Sequence, residues 1–150
     1  MFFCYTQTMR RIYSLHDYEQ YLSAFSAHAI EYKGIVYSTV EHAYHCQRYA
    51  DESIQKEIRD ARSAYKAWGT SQKYKDKERA NWKDQKAVVM EELCRAKLSQ
   101  HEDVKQALIE SREDVIVKDY PDAFWGIGMD GEGRNEMCKI WMKLRAELKS

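Results

Sequence analysis

Helix breakers are nearly missing from this chain. Its one proline is Pro121, and four of its six glycines fall between residues 126 and 133. The rest is rich in Ala, Glu, Lys and Arg, which predicts helix almost everywhere outside that short stretch. An excess of charge is missing too. Lys plus Arg and Asp plus Glu number 24 each, so the formal net charge is zero. That argues against a protein held on nucleic acid by bulk electrostatics, though not against a local basic patch. The cysteines Cys4, Cys46, Cys94 and Cys138 form no CxxC pair, and each has apolar neighbours. They read as reduced, buried thiols of a cytoplasmic protein. No hydrophobic run approaches a membrane span. The apolar start, Met1 to Tyr5, soon meets Arg10 and Arg11 and is too short for a signal core.

Aromatic residues are abundant instead. Eleven tyrosines and four tryptophans in 150 residues exceed what a core of this size needs, so some are expected to line a pocket or an outer surface. The length is that of one ordinary domain, able to bury a core without metal or disulfide staples. Residues 1–15 read as an extended segment, with a short helix around Asp17 to Leu22. Residues 29–37 read as a hairpin turning at Lys33-Gly34. Ser38 and Glu41 have capping-box spacing, which predicts a helix from there to about Tyr49. Ile54, Ile58, Ala61, Tyr65 and Trp68 fit one face of a second helix, stopped by Gly69. Residues 70–80 are polar and lysine-rich, as in a loop. Further helices are expected over 81–99, with Trp82, Val89, Leu93 and Ala96 on one face, and over 102–111. Asp114 to Lys118 reads as a strand and 120–135 as an irregular Gly-rich loop. The last helix starts at Asn135, with Met137, Ile140, Trp141, Leu144 and Leu148 as its stripe.

Three segments carry candidate chemistry. Tyr37 to Tyr49 puts Glu41, His42, His45 and Gln47 at one helix start. A first-turn carboxylate there is either a general acid or base, tuned by burial and the helix terminus, or a capping glutamate on the surface. His42 and His45 lack a second ligand pair, so no metal or other cofactor is expected. Trp125 to Asn135 combines Gly126, Gly128, Gly131 and Gly133 with Asp130 and Arg134 ahead of a helix. Such a loop lets backbone amides approach a phosphate, Asp130 can bind a ribose hydroxyl, and Trp125 can stack on a base. The alternative is a tight turn with Asn135 as an N-cap. Trp82 can be core or a stacking platform. Lys97 follows a core-facing alanine and can be a desolvated nucleophile or a solvated lysine. Residues 66–86 hold seven bases against three acids, and 101–122 hold seven acids against three bases. The basic stretch flanks Trp82, as suits a polyphosphate or a nucleic-acid strand.

Taken together, these segments resemble the NADAR family, the YbiA-like N-glycosidases, in order over about residues 22–148. Leu22-Ser23-Ala24-Phe25 is similar to a Leu-Ser-Asn-Phe motif. Tyr37 to Tyr49 resembles a Thr-x-Glu-His-x-x-x-x-Gln-Lys-Phe helix. Trp82 with Lys86, Arg95-Ala96-Lys97-Leu98, and Trp125 to Asn135 match three further motifs. Ala24, Arg48, Tyr49, Ile127 and Cys138 depart from the pattern. The resemblance implies one domain over 1–150, mainly α: a compact helical fold of the YbiA-like type with a small N-terminal β-hairpin. It implies hydrolysis of a ribose C1–N bond, with Glu41 as the catalytic carboxylate and Lys97 as a weaker covalent alternative. Phe25, His42, Trp82, Trp125, Gly126, Gly128, Asp130 and Asn135 would bind substrate. The expected partner is an ADP-ribose-containing nucleotide or ADP-ribosylated nucleic acid, from which ADP-ribose is removed at a guanine amino group, as an antidote to an ADP-ribosyltransferase. An early riboflavin-pathway intermediate is the rival substrate, and a non-catalytic ADP-ribose reader is the rival of another class.

Overall fold

Thr39, not Ser38, starts the first helix, and the shift by one residue decides which way Glu41 faces. Thr39 is extended (φ −149°, ψ 166°), and its hydroxyl accepts from the His42 amide at 3.2 Å. Glu41 is therefore second in the helix rather than third, and its side chain is released from the capping box. In the computed structural model, which describes residues 9–12 and 20–150, helix α1 runs Val40–Gln47. The expected hairpin precedes it: β2 (Ile30–Tyr32) pairs antiparallel with β3 (Ile35–Tyr37). Lys33 and Gly34 both take positive φ in its turn (52° and 81°), the mirror-image geometry that suits strand twist.

The second predicted helix is two helices. α2 (Glu52–Arg59) buries Ile54 and Ile58, and α3 (Ala64–Gln72) buries Ala64, Ala67 and Ser71. Ser63 caps α3 by accepting from the Lys66 amide at 3.1 Å. This restart turns the second helix about its axis, so Tyr65 and Trp68 stay 45% and 39% exposed instead of extending the apolar stripe. Gly69 lies inside α3 and stops nothing. The lysine-rich loop shrinks to a 3₁₀ turn at Lys75–Lys77 and its flanks.

Helix α4 (Trp82–Gln100) is the central element, packed against α1, α6, β2 and the following α5 (Glu102–Glu110). Strand β4 (Val115–Lys118) pairs in parallel with β1 (Met9–Ile12), Met9 opposite Val115. A loop then leads to α6 (Glu136–Leu148). The protein is mainly α, with two two-stranded sheets among the described residues. Leu93, Val104, Leu108, Ile116, Trp141 and Leu144 are at most 1% exposed and form the centre of the core. Trp141 also donates its indole N–H to the Leu22 carbonyl at 2.9 Å. Cys46, Cys94 and Cys138 are buried free thiols, each pushed up to about 12 by burial. Cys4 lies outside the described residues, as does most of the predicted extended segment 1–15. So does the start of the helix expected at Asp17 to Leu22, whose described residues, 20–22, form no helix. No described helix is long and apolar enough to cross a membrane.

Candidate active site

One face of α1 with its C-cap Arg48, the turn before β2, the end of α3, the first half of α4 and the chain after β4 converge on one cavity of about 430 Å³. Glu41 and His45 sit on one face of α1, one turn apart. Glu41 is 7% and His45 3% exposed, and His45 Nε2 lies 2.7 Å from Glu41 Oε1. His45 Nδ1 is buried without a hydrogen-bond partner among the described residues. Donation from Nε2 to the carboxylate leaves Nδ1 a bare acceptor, the tautomer that strands no N–H. The Glu41 amide donates to the Ala24 carbonyl at 3.1 Å. This bond brings Ala24 and Phe25 to the cavity wall.

Tyr44, Trp82 and Trp125 form its aromatic side. Tyr44 packs 5.1 Å from Trp82 and 5.6 Å from Trp125, centroid to centroid. Burial, seconded by the Glu41 charge, pushes the Tyr44 phenol above its ordinary value, so it stays a neutral wall. Trp125 is braced from behind by Phe124 at 4.7 Å. Lys86 Nζ lies 3.8 Å from the centre of the Phe124 ring, and the Arg134 guanidinium 4.8 Å from it. Lys118, the last residue of β4, also lines the cavity. Burial pulls its ammonium below the ordinary lysine value, while the Glu41 charge opposes that shift. At the mouth stand Arg48, paired with Glu78 at 2.7 Å, and Lys75, Lys83 and Lys86.

Of the residues expected in the site, the structure brings Phe25, Glu41, Trp82 and Trp125 to this cavity. The others stand outside its lining, each with another task. His42 Nδ1 bonds Thr39 Oγ1 at 2.8 Å and Nε2 bonds the Ala61 carbonyl at 2.9 Å, fixing α1 to the end of α2. Lys97 is 1% exposed and donates to the Ser23 carbonyl at 2.9 Å and Ser26 Oγ at 2.6 Å. Its ammonium, lowered to about 8 by burial, holds the turn that carries Phe25 and does not face the cavity.

The Gly-rich loop folds onto itself. The amides of Ile127, Gly128 and Gly133 donate to the carbonyls of Lys118, Tyr120 and Ile127 at 3.0, 3.0 and 2.6 Å. A Cβ on Gly126 would sit 2.8 Å from the Lys118 carbonyl oxygen, and one on Gly133 2.5 Å from the Ile127 carbonyl carbon. These glycines permit backbone to touch backbone. Asp130 is exposed and accepts from the Glu132 amide at 2.9 Å. Asn135 does not cap α6 through its side chain. It takes a left-handed φ of 52°, and its amide accepts from Lys118 N and donates to the Ile116 carbonyl, both at 3.0 Å. The loop's work is to hold β4, and so Lys118, against α6.

Sequence reasoning left Lys118 and Tyr44 out of the site and weighed His45, beside Glu41, only as a metal ligand. His45 carried a signal, four residues after Glu41 on one helix face. Lys118 carried none, because its place depends on a strand register. Elsewhere, His28, His101 and Asp103 bring donor atoms within 4.8 Å of one another. All three already share hydrogen bonds, with Asp103 on His28 at 2.9 Å and the Ala29 carbonyl on His101 at 2.5 Å. A second cavity, about 480 Å³, lies beside β1 and α5, and its described lining includes no carboxylate or histidine.

A family profile for the NADAR domain matches residues 2–149. N-glycosidase YbiA of Escherichia coli (strain K12) is 32% identical over 142 residues, covering 94% of this chain and 89% of that protein. A riboflavin biosynthesis protein of Vibrio vulnificus is 32% identical over 129 residues; the match covers 85% of this chain but spans only 35% of that protein. The NMR structure of E. coli YbiA superposes with a TM-score of 0.81 at 28% identity, covering 97% of this chain and 90% of that one.

Proposed function

The chain belongs to the NADAR family, and from that premise we propose that it removes ADP-ribose from the amino group of guanine in nucleic acid, undoing the work of an ADP-ribosyltransferase. In class it is a hydrolase of N-glycosyl bonds, as are the relatives named N-glycosidase in E. coli and Nostoc punctiforme. The observation that carries the reading is a nearly buried carboxylate, Glu41, oriented by His45 in an aromatic-walled cavity with cations at its mouth.

The reaction adds water across the ribose C1–N bond. As that bond lengthens, positive charge grows on C1 and the ring oxygen. The Glu41 carboxylate stabilises that charge and takes a proton from the attacking water, whose oxygen ends on C1. The departing amino nitrogen gains a proton. Lys118 is the cavity's candidate donor, since burial eases release of its proton. A covalent route through Lys97 has no support, because its amine is consumed by Ser23 and Ser26. The rim cations Lys75, Lys83 and Lys86 suit the diphosphate of an ADP-ribosyl group.

The likeness to a riboflavin biosynthesis protein favours a second reading, cleavage of an early riboflavin intermediate with release of ribose 5-phosphate. Offering both substrates to the enzyme separates the two. Loss of ADP-ribose from guanine is the expected result. Release of ribose 5-phosphate alone would favour the second reading, and ADP-ribose binding with turnover of neither would make the protein a reader.

A further inference from the structure

Tyr65 and Trp68, expected in the core, stand instead at the cavity's outer edge. Their rings are stacked, with centroids 5.7 Å apart and planes inclined by 28°. Trp68 reaches the cavity lining. Tyr65 lies near Tyr120, another lining residue, whose phenol is pushed up by burial first and then by the nearby Asp122 and Tyr65. The pair is 45% and 39% exposed. α3 anchors to the core through Ala64, Ala67 and Ser71 on its other face, which leaves both rings largely exposed.

We propose that the Tyr65–Trp68 pair is a stacking shelf for an unmodified base neighbouring the modified guanine in a single-stranded nucleic acid. The inference rests on the guanine-linked reading above and adds to it a polymer-binding subsite at the edge of the reaction cavity. Charge supports a strand as the occupant. The cavity and its mouth carry five cations against three carboxylates, and one of those carboxylates, Glu78, is already paired with Arg48. Lys75 and Lys83 are exposed and line the same cavity as Trp68, where they can meet a phosphate backbone leaving it. Openness supports it as well. A small ligand's own base is normally enclosed on most of its surface. An open aromatic surface among dispersed lysines is instead how proteins hold successive bases without reading them.

The test compares two substrates, ADP-ribosylated guanosine as a mononucleoside and the same guanine inside a short single-stranded oligonucleotide. The wild type is expected to favour the oligonucleotide in kcat/KM by on the order of tenfold. Tyr65→Ala and Trp68→Ala should remove most of that preference, and Tyr65→Ala should leave mononucleoside turnover at the wild-type level. No preference in the wild type, or a preference that survives both substitutions, overturns the shelf. Equal losses on both substrates in Tyr65→Ala would assign the rings to the adenine of ADP-ribose, and that also overturns it. If neither substrate is turned over, the guanine reading has failed separately, and the shelf is then judged on anisotropy of an unmodified labelled oligonucleotide. Binding lost in Tyr65→Ala sustains the shelf as a nucleic-acid contact; no binding by the wild type, or binding unchanged in the variant, ends it.

Discussion

His45 Nε2 lies 2.7 Å from Glu41 Oε1, and both residues are nearly buried on the cavity face of α1. The histidine, itself a lining residue, fixes the carboxylate's rotamer. His45→Ala should lower kcat about 10²-fold with little change in KM, since a catalytic group misplaced by about 1 Å costs on that order. Ligand binding by calorimetry should persist. A His45→Ala enzyme with wild-type kcat would show that Glu41 needs no orienting partner.

The tryptophans should separate by location. Trp141 is fully buried and hydrogen-bonded to the Leu22 carbonyl, so Trp141→Ala should cost about 3–5 kcal/mol of stability. Trp125 is partly buried on the cavity wall, and Trp125→Ala should weaken ADP-ribose binding by about 1–3 kcal/mol with a smaller loss of melting temperature. Trp82 belongs to both the core and the cavity lining, so Trp82→Ala should lose both. Calorimetric affinity and melting temperature, measured on all three variants, check the division. Trp125→Ala losing stability as Trp141→Ala does would make Trp125 a core residue.

Asn135 should prove structural. Asn135→Ala loses two hydrogen bonds to β4 and keeps a left-handed φ that alanine tolerates poorly. The expected cost is about 2–3 kcal/mol. Affinity of the folded protein should change little. Unchanged melting with a large rise in KM would return Asn135 to the substrate.

The hairpin was legible in the sequence because Lys33-Gly34 interrupts alternating runs, and α4 and α6 because their apolar residues recur at helical spacing. Glu41 was legible as a helix-start carboxylate within a motif. The break between α2 and α3 was not, because Ile54 to Trp68 keeps helical spacing straight through it, and only the Ser63 cap reveals the restart. The Gly-rich loop was ambiguous for a related reason. Close backbone packing and anion binding both select glycine, and only hydrogen-bond partners tell them apart. Lys97 could not be placed without knowing that the turn at Ser23 and Ser26 lies against α4.

Lys97 gives a pH test of that placement. Its pKa is lowered from 10.5 to about 8 in the folded protein. The unfolded chain therefore holds the proton more tightly between those values, and stability gains as pH rises through that window. Burying the charge costs most below about pH 8, and the cost fades toward pH 10.5. Tyrosines and cysteines titrate in the same range, so the quantity to read is the difference between wild type and Lys97→Met. From about pH 7 to about pH 10 that difference should move in favour of the wild type by about 2 kcal/mol. A difference that stays flat with pH would mean that Lys97 is solvated in the folded protein.

Catalysis by Glu41 is most directly tested with Glu41→Gln, which keeps the side chain's size and its capacity to accept from His45. On an oligonucleotide carrying ADP-ribosylated guanine, released ADP-ribose is followed by mass spectrometry while ADP-ribose affinity is measured by calorimetry. The account predicts turnover down by about 10²–10⁴-fold, with melting temperature and affinity close to wild type. Turnover near the wild-type rate in a folded, ligand-binding Glu41→Gln protein would contradict it.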